Sequence, residues 1–273
     1  MSSTLDPTEF AWLCAFLRAE SALSIDAGKD YLVTTRLTPL LKEFGLSTLS
    51  ELVVRLKRRP IAAVHQRVIE AMTTNETSFF RDVHPFDTLR NQVLPEVVKK
   101  RGTAGLNIWC AASSTGQEPY TIAMVLHEAF PEVAARSRIL CTDINQLVLE
   151  RTKQGVYSQL EVNRGLPALK LVKYFDRRGT EWQVKEVLRR MVDTRLMNLA
   201  VPWIGVPIMD IVFVRNVLIY FDVETKRQIV GRIRRNMTMD GALFVGGAES
   251  LLNIDNDFAR ASLGKSLIYK RAA

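Results

Sequence analysis

Apolar residues recur at helical spacing through the first seventy-odd positions, then give way from Leu106 onward to short apolar runs separated by amphipathic stretches. In the first part, Asp6, Pro7 and Glu9 form a capping-box start, followed by Phe10, Leu13, Cys14 and Leu17 on one helical face. A second helix runs through Tyr31, Val33, Leu37, Leu40 and Leu41 and stops at Gly45, which serves as its C-cap. Thr48 and Glu51 cap a third, carrying Leu52, Val53 and Leu56; Pro60 ends it, and Ile61, Val64, Val68, Ile69 and Met72 begin another. The stripe then breaks into Thr73-Thr74-Asn75-Glu76-Thr77-Ser78, closed by Phe79, Phe80 and Arg81. Two adjacent phenylalanines mark this junction as packed rather than as a plain linker.

From Leu106 the pattern alternates strand and helix, which predicts an α/β unit with a parallel sheet. Leu106, Ile108, Trp109 and Cys110 form a strand buried on both faces. It breaks into the small-residue loop Ala111 to Gly116, which lets a ligand approach the backbone, and a helix begins near Gln117, with Glu118 just before Pro119 in its first turn. A nucleoside-binding turn has this layout, and so does an ordinary strand-to-helix connection, since G-x-G-x-x-G is absent. Arg138 to Asp143 is a second strand; Asp143, 27 positions after Gly116, stands where a carboxylate takes ribose hydroxyls, or caps the next helix. Trp182-Gln183-Val184 and Met191-Val192 are short strand signals, giving an antiparallel insertion at about 164–195. Ile208 to Val214 is the strongest strand and delivers Arg215, Asn216, Tyr220 and Phe221 beyond its C-terminal end, the edge where open α/β sheets bind ligands. A basic amphipathic helix (223–239), a turn at Asp240-Gly241, a strand (242–245) and a terminal strand (266–270), paired antiparallel with a preceding segment, complete the sheet.

The net charge of +8 over 273 residues calls for an acidic partner, and its placement narrows where. Residues 1–74 hold nine Lys/Arg against eight Asp/Glu, whereas residues 151–195 hold eleven against five. On the third helix Arg55, Arg58 and Arg59 share one ridge, either a solvated face or a docking surface for an acidic helix. Cys14, Cys110 and Cys141 are isolated, which argues against disulfides and zinc, and the three histidines are scattered. No apolar run has bilayer length and no basic-then-apolar leader opens the chain, so a cytoplasmic protein is expected, with no direct membrane insertion.

Taken in order, Asn75-Glu76-Thr77-Ser78-Phe79-Phe80-Arg81, Ala111 through Tyr120, Thr142-Asp143, Asn198-Leu199 and Arg215-Asn216-Val217-Leu218-Ile219-Tyr220-Phe221 resemble the successive motifs of the chemotaxis receptor methyltransferases of the CheR family. The resemblance implies a class I S-adenosylmethionine-dependent methyltransferase (Rossmann-like) sheet over 75–273 with an N-terminal all-α domain over 1–74 and the small antiparallel β insertion. It implies S-adenosylmethionine as methyl donor, no metal, and receptor glutamate γ-carboxylates as acceptors. Carried over by motif, Asn75, Thr77, Arg81, Glu118, Asp143, Asn198, Leu199, Arg215 and Asn216 line the cofactor pocket, Asp143 holds the ribose, and Arg81 and Tyr220 lie beside the transferring methyl. The expected partners are the cytoplasmic methylation helices of chemoreceptors, reached through the basic helix and the basic insertion by a monomer recruited to membrane receptor arrays.

The chemistry suits these residue types. A glutamate with a reference pKa of about 4.3 is already an anion at neutral pH, so the enzyme must align and desolvate it rather than deprotonate it. Arg81 is expected to orient the carboxylate and the Tyr220 hydroxyl to donate to it. The sequence departs from the family twice. Gln117 replaces a second glutamate beside Glu118, which is expected to stay free to bind, so that Glu118→Ala abolishes cofactor binding and leaves the fold intact. The stretch Asp176 to Trp182 has one glycine and is short for the glycine-rich loop that grips a receptor's C-terminal pentapeptide, so independence of that tether is expected. A nucleic-acid methyltransferase is the rival reading for a basic chain with a nucleoside-binding sheet. It lacks support from a Pro-Pro-aromatic or a Pro-Cys motif.

Overall fold

The computed structural model describes residues 5–25, 28–58, 62–102, 104–263 and 266–272; Arg59, Pro60 and Ile61, and with them the proposed end of the third helix, lie outside the described residues. The chain divides into two compact units, Met1–Thr74 with Tyr220–Asp222, and Asn75–Ile219 with Val223–Ala273.

The first unit holds α1 (Pro7–Ser21), α2 (Asp30–Phe44), α3 (Leu49–Lys57) and α4 (Ala62–Met72). The starts and stops follow the local chemistry: Asp6 and Glu9 complete a capping box, Gly45 closes α2 in the left-handed region at φ 65°, and the Thr48 hydroxyl accepts from the Glu51 N–H. Leu13, Leu17, Val33, Leu37, Leu52, Val53, Val64 and Val68 are buried at their centre. Arg36 donates to the carbonyls of Met72 and Thr73 and to the Thr74 hydroxyl, which fixes the exit from α4. On α3, Arg55 is half-buried, donating to the Phe44 carbonyl and lying over the Phe44 ring, while Arg58 is exposed.

The second unit opens with α5 (His84–Thr88), a π turn and α6 (Leu94–Arg101), and continues as β1 (Asn107–Ala111), α7 (Gln117–Ala129), α8 (Pro131–Ala134), β2 (Arg138–Asp143) and α9 (Gln146–Gln154). There follow β3 (Val156–Ser158), α10 (Gln159–Asn163), α11 (Ala168–Tyr174), β4 (Phe175–Arg178), β5 (Glu181–Val184), α12 (Glu186–Arg189) and β6 (Val192–Leu196). The last elements are β7 (Met209–Val214), α13 (Val223–Arg235), β8 (Met237–Val245), β9 (Phe258–Leu263) and β10 (Ser266–Arg271). Seven strands form one sheet in the order β6-β2-β1-β7-β8-β10-β9. Pairing is parallel from β6 through β8 and antiparallel at β10 and β9. Strand order reverses between β1 and β7, with Cys110 opposite Phe213, and the loops leaving their C-terminal ends flank that switch point. Phe86, Phe213 and Phe244 stack through the core, with centroids 6.2 and 4.3 Å apart.

Three segments differ from the patterning. Val192–Leu196, expected in the insertion, is the edge strand of the large sheet, parallel to β2. Its mostly exposed side chains leave no apolar run to read. The antiparallel insertion therefore begins earlier, as a small sheet β3-β5-β4 spanning 156–184. Asp240-Gly241 is no turn between helix and strand: β8 starts at Met237 and runs through it, opposite a register irregularity between Met209 and Ile211. A Cβ on Gly241 would come within 3.1 Å of the Asp210 carbonyl, so glycine serves a close backbone approach at that bulge.

Candidate functional site

The loop after β1 is held by an unusual backbone path. Ala112, Ser114 and Gly116 have φ of 55°, 51° and 93°, left-handed values at alternate positions. Such conformations cost side-chain-bearing residues about 1–2 kcal/mol each. Polar contacts fix this path. The Ser113 N–H donates to the Thr142 carbonyl, the Ser114 N–H to Asp143 Oδ2, the Thr152 hydroxyl to the Ser114 carbonyl, and the Tyr157 hydroxyl to the Thr115 carbonyl at 2.8 Å. Gly116 leaves no open space for a ligand at its missing side chain: a Cβ there would sit 2.9 Å from Thr152 and from the Tyr157 hydroxyl. The glycine is demanded by the protein's own packing and by φ, and not by ligand approach at that atom.

Asp143 is not a helix cap. Its carboxylate accepts from the Ser114 and Asn145 N–H groups, while the side chain of Asn145 caps α9. The Asp143 carbonyl accepts from the Met197 N–H, which sets Asn198 and the buried Leu199 next to the β2 end; Asn198 Oδ1 folds onto the Ala200 N–H. Asn75 reaches the same loop, its carbonyl accepting from the Ser114 hydroxyl at 2.8 Å, and Thr77 is half-buried two residues on.

Glu118 is not free. Arg215, whose side chain is 2% exposed, donates from Nη1 to Glu118 Oε2 at 2.7 Å and from Nη2 to Asp82 Oδ2 and to the Arg81 carbonyl. The guanidinium also lies over the Phe86 ring. Burial pushes the Glu118 carboxyl above its ordinary range, and Arg215 acts against that shift. Phe80, Asp82 and Val83 are left-handed at φ 49°, 68° and 46°, so the segment carrying Arg81 is strained and is fastened by Arg215. Arg81 itself donates to the Glu76 carbonyl.

Beyond β7, Asn216 is left-handed at φ 57°, and its N–H, with those of Val217 and Ile219, donates to the buried carboxylate of Glu249. Tyr220 follows as the half-buried last residue of the 3-10 turn Leu218–Tyr220 and groups with the helical unit. The structure thus brings Asn75, Arg81, Glu118, Asp143, Asn198 and Arg215 together around the ends of β1, β2 and β7. Sequence patterning missed Asp82, Thr152, Tyr157 and Glu249. The one available signal for Glu249 was an acid following Gly246-Gly247 directly after a buried strand.

A parallel sheet with its switch point between β1 and β7, and with carboxylates gathered at that edge, defines a nucleoside-binding α/β domain. The family model described as the CheR methyltransferase SAM-binding domain matches residues 75–266, and the CheR methyltransferase all-alpha domain matches residues 8–73. A chemotaxis protein methyltransferase 1 of Pseudomonas aeruginosa is 37% identical over 267 residues, covering 96% of this chain and 97% of that protein. A chemotaxis protein methyltransferase of Vibrio parahaemolyticus is 35% identical over 276 residues and covers 98% of each chain, and one of Salmonella typhimurium is 31% identical over 261 residues, covering 93% and 88%. The chain belongs to the CheR methyltransferase family. It has the class I S-adenosylmethionine-dependent methyltransferase fold and an N-terminal all-α domain.

The residues present fit that donor. Among the described residues the Ser113 hydroxyl and Arg215 Nε are buried without a partner, and Asp143 and Glu118 carry carboxylates, groups that pair with hydroxyl and ammonium groups. No helix among the described residues is long and apolar enough to cross a membrane.

Proposed function

We propose that the chain methylates the γ-carboxylate of specific glutamates on the cytoplasmic helices of chemoreceptors, with S-adenosylmethionine as donor. One observation carries the reading. The carbonyls of Asn75 and Arg81, at the two ends of the first family motif, are bonded to Ser114 in the β1 loop and to Arg215 beyond β7, so three distant motifs form one site. When bound, the donor would supply a methyl group from its sulfonium centre, which would leave as the neutral thioether. Asp143 holds the ribose hydroxyls, and Glu118, Asn75, Thr77, Asn198, Leu199 and Asn216 complete the pocket. Arg215 spends Nη1 and Nη2 on Glu118, Asp82 and the Arg81 carbonyl, and its Nε is left to face the donor. The acceptor enters ionised, so no base is needed; Arg81 orients it and the Tyr220 hydroxyl donates to it.

On this reading residues 1–74 form the receptor-facing helical domain and 75–273 the catalytic domain, a monomer working in the cytoplasm at receptor arrays. Arg58 and the basic insertion meet the acidic receptor helices. The turn between β4 and β5 has only Gly179 and Thr180, with Gly179 at φ 60°, the tight two-residue hairpin form. So short a turn supports independence of the C-terminal pentapeptide, and micromolar calorimetric binding of such a pentapeptide would sink that part. The main test supplies methyl-labelled donor with a receptor signalling fragment or with bulk RNA. Label released from protein by mild alkali is expected; alkali-stable label in RNA would overturn the reading in favour of a nucleic-acid enzyme.

A further inference from the structure

Glu249 is an acid with a charge and an address that the functional reading does not use. It lies four residues beyond β8 and is 7% exposed. Its Oε2 accepts from the N–H groups of Asn216 at 2.8 Å and Gly246 at 2.6 Å, and its Oε1 from those of Val217 at 2.9 Å and Ile219 at 3.3 Å. Val214 and Val245, the last residues of β7 and β8, stand opposite each other in the sheet. One carboxylate therefore straps the chain leaving β8 to the chain leaving β7. Its four donors belong to backbone that cannot bond within a strand, since both strands have just ended. Charge-assisted bonds of this kind are about twice as strong as neutral ones. The strap also keeps Asn216 in its left-handed conformation.

We infer that Glu249 is a positioning residue for methyl transfer: by holding the backbone of 216–219 it places the Asn216 side chain against the donor. The inference rests on the functional reading above. The geometry is specific to a carboxylate. A glutamine has the same length, but its amide NH2 would face two backbone N–H donors and only its oxygen could accept. An aspartate is one methylene too short to reach both strand ends. Gly246 gives a second route to the same strap, because a Cβ there would lie 2.6 Å from Glu249 Oε2 and 2.9 Å from Asn216 N and Nδ2, prising the carboxylate from the turn without removing its charge.

The experiment compares the full chain with Glu249→Gln and Gly246→Ala, reading the melting midpoint, the calorimetric Kd for S-adenosylhomocysteine, and kcat and KM for a receptor fragment. Both variants are expected to be folded at the assay temperature, to bind the nucleoside more weakly and to lose kcat by a factor on the order of 100, as displacement of a reacting group by about 1 Å does. The acceptor KM stays unchanged. A purely structural Glu249 predicts a lower melting midpoint with Kd and kcat of the folded protein unaltered, and that result overturns the inference, as does a loss confined to acceptor KM. If Glu249→Gln fails to fold, Gly246→Ala, which keeps the carboxylate, decides on the same readouts. Absence of nucleoside binding by the unaltered chain would instead overturn the functional reading.

Discussion

Replacing Glu118 with alanine is the most informative single perturbation, because sequence and structure predict different results for it. From the sequence, Glu118 faces a ligand and its loss leaves the fold intact. In the structure its carboxylate is one of two that neutralise Arg215, whose side chain is 2% exposed, while Glu118 itself is 14% exposed. The other partner, Asp82, is 53% exposed and hence screened by water. Breaking a buried pair by removing one member costs about 3–5 kcal/mol because the remaining charge stays buried. Asp82 and the Arg81 carbonyl retain part of the compensation, which puts the expected cost near the low end, about 3 kcal/mol. For a unit of this size each kcal/mol moves the melting midpoint by about 2–4 °C, so Glu118→Ala should melt about 6–12 °C lower. Calorimetric melts with and without S-adenosylhomocysteine give both answers. The variant should lose stability and also lose the upward shift that the nucleoside produces in the unaltered chain. Glu118→Gln, which keeps the volume and one acceptor, should lose less stability. A Glu118→Ala protein that melts with the unaltered chain would refute the argument that the ion pair supports the site.

Gly165→Ala tests the tie between the insertion and the first motif. Gly165 has φ 89°, and a Cβ there would lie 2.1 Å from the Phe79 carbonyl, so the left-handed backbone alone costs about 1–2 kcal/mol and the clash adds to it; an unchanged denaturation midpoint would refute the contact. His127→Gln tests a titration. Burial, aided by Lys173 and Arg190, holds the His127 imidazole below its ordinary 6.5, and its Nδ1 shares a hydrogen bond with the Tyr174 hydroxyl at 3.1 Å. A depressed folded-state pKa means stability present above about pH 6.5 and lost as pH falls through the lower folded value. Denaturant midpoints at pH 7.5 and 5.5 should therefore fall further for the unaltered chain than for His127→Gln, and equal falls would refute it.

What was legible in the sequence was whatever leaves a periodic or local chemical trace. The capping box at Asp6 and Glu9, the stop at Gly45 and the helix beginning at Gln117 are set by neighbours within four residues, and all three stand as read. The β6 edge strand was misplaced because exposure on both faces erases apolar periodicity. The β8 bulge was read as a turn because Asp-Gly is a turn signal whose meaning depends on the strand opposite. At the site, the strand ends that carry the motif residues were legible, but the bonds between those residues were not. Glu118 with Arg215 and Glu249 with Asn216 are pairs separated by 97 and 33 positions, and no local rule joins them.

Among the described residues the insertion bonds to the β1 loop through the Tyr157 hydroxyl, which satisfies the Thr115 carbonyl and fills the space that Gly116 leaves. It meets the first motif at Gly165, against Phe79. For anyone exchanging recognition elements between relatives, this divides the insertion into a tip and a root. The hairpin tip from Arg178 to Glu181 can be lengthened, shortened or grafted without disturbing a buried carbonyl. The root carrying Tyr157 and Gly165 must travel with Gly116 and Phe79, or the loop loses its floor.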